Sequence, residues 1–104
     1  MANYLLTYHG EGGMPDSPEE AAKVMSAWGA WFGQLGGALV DGGNPTTRGK
    51  AISPDGSVMD ATSTPTGYSI IKADSLDQAV ELAKGCPVLA IGQVVLVTET
   101  FNAM

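Results

Sequence analysis

The stretch GYSIIKADSLDQAVELAKGCP, residues 67–87, reads as a strand, a capped helix and a stop. Gly67 to Ala73 supplies the strand, where Ile70 and Ile71 suit a pleated, half-buried surface. Ser75 opens a capping box, with Gln78 placed to reach back to the unpaired N–H groups of the first turn. Leu76, Ala79, Val80 and Ala83 recur at helical spacing and predict the buried stripe, with Leu82 at its margin. Gly85 is expected to end the helix in the left-handed conformation, and Pro87 prevents continuation. Val88 to Ile91 reads as a short turn, and Gln93 to Glu99 as an apolar strand.

The N-terminal half repeats the theme. Tyr4 to His9 is short, aromatic and apolar, as a strand requires, and Gly10 to Gly13 breaks it. Ser17 can cap a helix whose first turn tolerates Pro18, and Glu20 sits at the capping-box position. Ala21, Val24, Met25, Trp28, Trp31, Phe32, Leu35 and Leu39 fall on one stripe, with Lys23, Ser26 and Gln34 off it. Gly29 and Gly33 share a face, so either another backbone approaches closely there or the helix frays toward Gly36 and Gly37. Ala38 to Val40 can begin a strand. Further on, Pro54-Asp55-Gly56 between two short apolar runs predicts a hairpin, Gly56 supplying the positive φ.

The order is β-α-β-β-α-β with an irregular insertion: a single α+β domain over residues 1–104, ferredoxin-like, with an antiparallel sheet and both helices on one face. Ile70-Ile71 and Val94 to Val97 are apolar on both faces, and no element is left to cover the second. A second copy is the economical cover, so a homodimer through the sheet face opposite the helices is expected, enclosing a partly apolar interior. A monomer with a modest exposed patch is the alternative.

Charge narrows the partners. Lys23, Arg48, Lys50, Lys72 and Lys84 oppose eleven carboxylates for a net charge of -6. Five scattered cations make no phosphate-binding patch, which disfavours nucleic acid and anionic membranes. No apolar run approaches a membrane span, and no signal-peptide pattern opens the chain, so a cytoplasmic protein is expected. Cys86, alone and beside Pro87, is expected to be a small buried packing residue and not a nucleophile. One histidine and one cysteine give no metal signature, and no cofactor is expected. Gly10 to Gly13 lacks the Lys-Ser/Thr ending of a phosphate loop.

Three segments resemble the YCII-related family, including its branch named for an Asp-Gly-Pro-Phe motif: the opening Asn3 to Tyr8, the Ser17-Pro18-Glu19-Glu20 helix start, and Gly67 to Ala79. The resemblance implies a ferredoxin-like fold assembled as a dimeric α+β barrel. Where the name-giving motif should fall, this chain has Asp60-Ala61-Thr62-Ser63, so that motif's role is not carried over. Some members use a His–Asp pair for acid–base chemistry, with the histidine near the first helix; that helix here has none.

His9 at the end of the first strand is therefore the candidate catalytic residue, as a general base oriented by Asp16, Asp41, Asp60 or Asp74. Tyr8, Arg48 and Tyr68 are candidate ligand-binding residues, although strand alternation puts Tyr8 and His9 on opposite faces. Ser69 and Thr7 can supply hydroxyls. Two functions follow: a small dimeric binding or accessory protein for an apolar ligand, or a cofactor-independent lyase or isomerase acting on a small ring compound with His9 as base.

Overall fold

The computed structural model describes residues 1–11, 17–61 and 63–103. Strand β1 (Ala2–His9) leads to helix α1 (Pro18–Leu35), then to β2 (Leu39–Asp41), β3 (Lys50–Ile52), β4 (Val58–Asp60), β5 (Gly67–Ala73), helix α2 (Leu76–Ala83) and β6 (Val94–Glu99). The main sheet has the order β2-β5-β1-β6 with every pairing antiparallel, which is the ferredoxin-like arrangement; β3 and β4 pair separately as a hairpin.

Both predicted caps form. Ser17 accepts from the Glu20 N–H at 3.1 Å, and Ser75 from the Gln78 N–H at 3.1 Å, while Gln78 Oε1 accepts from the Asp74 N–H. Each satisfies donors that a helix start leaves unpaired, a contribution of about 1 kcal/mol per cap. The Pro54-Asp55-Gly56 turn closes the hairpin with Gly56 at φ +87°, and Asp55 accepts from the Ser57 N–H and hydroxyl.

Alternation along the strands sorts the core. Tyr4, Leu6 and Tyr8 of β1 and Ser69, Ile71 and Ala73 of β5 are buried toward the helices, where they meet Trp31 and Leu35 of α1 and Ala79 and Ala83 of α2. Trp31 anchors one helix to the other: its indole N–H donates to the Leu82 carbonyl at 3.1 Å.

Three expectations are corrected. The α2 stripe is rotated, so that Ala79 and Ala83 face the sheet while Leu76 and Val80 are exposed; alanines let the short helix sit close to the strands. In α1, Val24 and Met25 are exposed, and no backbone comes near Gly29 or Gly33, whose added Cβ would meet nothing within 4 Å; nothing in the structure explains those two glycines. Gly85 is not left-handed. It is small because a Cβ there would lie 2.9 Å from Trp31 Cδ1.

Candidate functional site

The helix-free side of the sheet carries Asn3, Leu5, Thr7 and His9 from β1, Tyr68, Ile70 and Lys72 from β5, and Val94, Leu96 and Thr98 from β6. Register arranges these residues in rows. Leu5 lies between Ile70 and Thr98, Thr7 between Tyr68 and Leu96, and His9 opposite Val94. The middle of the face is thus apolar, with a polar group formed by His9, Thr7 and Tyr68 set into it. None of these ten residues is a carboxylate, although the chain carries eleven; the fourth strand, β2, adds Asp41 at the edge opposite Ile70.

His9 and Tyr68 are half-buried. The imidazole Nε2 lies 2.8 Å from the Thr7 hydroxyl, two residues back on the same strand face. That hydrogen bond fixes the ring against the sheet and leaves Nδ1 for another partner. Of the proposed carboxylate partners, Asp41 accepts from the Gly43 N–H, Asp60 pairs with Lys50, and Asp74 precedes α2; none bonds to His9. Asp16 lies outside the described residues. Among the described residues the His–Asp pair is therefore not formed, and no cluster of metal-ligating side chains is found.

Tyr8 stands apart from this group. It is buried on the helix side, where its hydroxyl donates to Ser69 Oγ at 2.6 Å and Ser69 in turn donates to the Gly42 carbonyl at 2.8 Å. Its ring meets Trp28 edge-on at 5.5 Å. Burial raises the Tyr8 phenol above its ordinary value despite the Ser69 hydrogen bond, and burial likewise raises the neighbouring Cys86 thiol. Both are core residues, and Cys86 is not an activated nucleophile. Tyr8→Phe is expected to cost about 1–2 kcal/mol in urea unfolding, because the fully buried Ser69 loses its donor.

Together with Tyr4, whose phenol is raised by its hydrogen bond to Glu99, these groups set an alkaline limit. All three are neutral when protonated, and the unfolded chain releases these protons above the ordinary values of 9.0 for the thiol and 10.0 for the phenols while the native state keeps them. Their contribution is complete below about pH 9 and is lost as pH rises beyond it. Urea midpoints are therefore expected to fall between about pH 8 and about pH 10.5, less steeply in Tyr8→Phe.

Arg48 lies elsewhere, on an open depression of about 610 Å³ at the root of the hairpin, together with Thr47, Lys50, Asp60 and Thr64. Of the four candidate residues, then, the fold brings together His9 and Tyr68 only. The residue that sequence reading passed over is Thr7 as the partner of His9. Its signal was present, since residues two apart on a strand share a face.

A family model described as the YCII-related domain matches residues 1–100. No curated protein matches the chain.

Proposed function

The chain belongs to the YCII-related family, and from that membership together with the open sheet face we propose that it is a small homodimeric binding or accessory protein. Two copies stack through the faces centred on Leu5, Ile70 and Leu96, as a dimeric α+β barrel, and hold a small apolar ligand between them. The observation that carries this is the composition of that face: apolar side chains in register across β5, β1 and β6, with a single carboxylate, Asp41, on the β2 edge opposite Ile70, in a chain with eleven. Like-charge repulsion is therefore confined to the β2 edge, where Asp41 is held by the Gly43 N–H, and is absent from the three central strands that must approach their own copy. His9, Thr7 and Tyr68 supply the few polar groups by which such an interior orients a ligand. A cytoplasmic location belongs to the same proposal; among the described residues, no helix is long and apolar enough to cross a membrane.

The Thr7–His9 hydrogen bond supports a second reading, a cofactor-independent lyase or isomerase with Nδ1 of His9 as base. Binding ranks first because no carboxylate completes the pair among the described residues.

Sedimentation equilibrium together with titration of the neutral fluorophore N-phenyl-1-naphthylamine tests the proposal. A dimer that binds the dye saturably, with affinity reduced several-fold in His9→Ala, is the expected result. A chain that stays monomeric up to about 100 μM and binds no dye overturns it.

A further inference from the structure

The β3–β4 hairpin is used by neither the main sheet nor the helices. Among the described residues its strands pair only with each other, Lys50 with Asp60, Ala51 with Met59 and Ile52 with Val58, and no other element packs substantially on it. Ile52 is 74% exposed, Val58 63% and Met59 50%. Directly opposed residues share a face, so Ile52 and Val58 make an apolar pair beside the Lys50–Asp60 ion pair on one side, and Ala51 and Met59 lie on the other. A lone two-stranded hairpin is marginal in water, and this one spends apolar side chains on solvent.

The shape of the molecule indicates what covers it. The Cα atoms span 44 × 40 × 18 Å with a radius of gyration of 15.3 Å, where a compact chain of this length has about 13 Å. One sheet and one helix layer fill the thin dimension, so the hairpin lies beside them and is not folded over its own sheet. The accessible surface is 7260 Å², against about 5,500 Å² for a compact monomer of this mass. The excess is about twice the roughly 800 Å² that each partner of a standard interface buries. Charge agrees with the same occupant. Residues 48–60 carry Arg48 and Lys50 against Asp55 and Asp60, a neutral segment in a chain of net charge -6. It can meet an identical acidic chain without repulsion.

We infer that the hairpin is a dimer arm, laying Ile52 and Val58 against a second copy of this chain, with two symmetry-equivalent arms per dimer. This rests on the dimer proposed above and adds that the sheet faces alone do not make up the interface.

The test compares wild type, Ile52→Thr/Val58→Thr and Leu96→Asp by sedimentation equilibrium. Threonine keeps the β-branching that holds the hairpin strands. The hairpin pair is expected to raise the dimer dissociation constant at least about tenfold. Placed in the monomeric Leu96→Asp background, it should leave the urea midpoint unchanged. A wild-type dissociation constant in the hairpin variant, with Leu96→Asp dissociated, overturns the arm and leaves the sheet dimer standing. An equal loss of stability in the monomeric background assigns the effect to folding and also overturns it. A monomeric wild type removes the dimer, and the arm with it.

Discussion

Gly43→Ala is expected to lower stability by about 3 kcal/mol or more, since its added Cβ makes the closest approach to backbone of any among the described glycines. A Cβ built there falls 1.7 Å from the Tyr68 carbonyl oxygen and 2.6 Å from its carbonyl carbon, at a φ of +74°. Both objections are to backbone, so no side-chain rotation relieves them. The segment is held on each side: Asp41 accepts from the Gly43 N–H at 2.8 Å, the Tyr68 N–H donates to Asn44 O, and Pro45 bridges to Gly67. Moving Gly43 away would strip the β2 edge from β5. It would also remove the Gly42 carbonyl that accepts from the buried Ser69 hydroxyl. Gly56→Ala is the matched control, with φ at +87° but open space around the added Cβ. It should cost only the left-handed preference, about 1 kcal/mol. Urea unfolding of both variants measures the difference; equal losses would show that the Tyr68 carbonyl yields freely.

Leu96→Asp is expected to raise the dimer dissociation constant at least about a thousandfold while leaving the fold of each chain in place. Leu96 is 53% exposed in the single chain, and a substitution at such a position moves monomer stability by about 0.5–1 kcal/mol. In the proposed stacked dimer the same carboxylate would be taken out of water once per copy. Its neighbours in the row, Thr7 and Tyr68, offer no positive charge, and Lys72 is at the far end of the face beside Asn3. About 4 kcal/mol of lost association corresponds to the thousandfold change. Sedimentation equilibrium and circular dichroism on one sample separate the two effects. A folded Leu96→Asp dimer of wild-type affinity would exclude this face as the interface.

Features set by neighbours in sequence were legible. Ser17 and Ser75 cap the helices they were expected to cap, because a cap needs only the three residues after it. The Pro54-Asp55-Gly56 turn and the parity of Tyr8 and His9 are local in the same way. The misreadings depend on what lies across the molecule. Gly85 was assigned to a helix stop because glycines often serve there, while its actual reason is the Trp31 ring on the other helix. Helical spacing places Leu76, Ala79, Val80 and Ala83 alike on the buried stripe; the close seat of α2 on the sheet buries only the two alanines of that set and leaves Leu76 and Val80 exposed. The candidate site was half legible for a similar reason. His9 stands out as the single histidine, but its neighbours Tyr68 and Leu96 depend on the register of β1 with β5 and β6, which spacing within one strand does not encode.

The hairpin leaves the sheet between β2 and β5, two strands that already pair with each other, so its length and sequence are decoupled from the register of the face that carries His9. Inheritance can then act on the two separately. With the arm acting as proposed, duplicated copies of such a gene, drifting in residues 48–60, would come to reject each other's chains while the sheet face that carries His9 stayed the same. Sister proteins in one cell would thus remain insulated from mixed assembly without any change to the sheet face they share by descent.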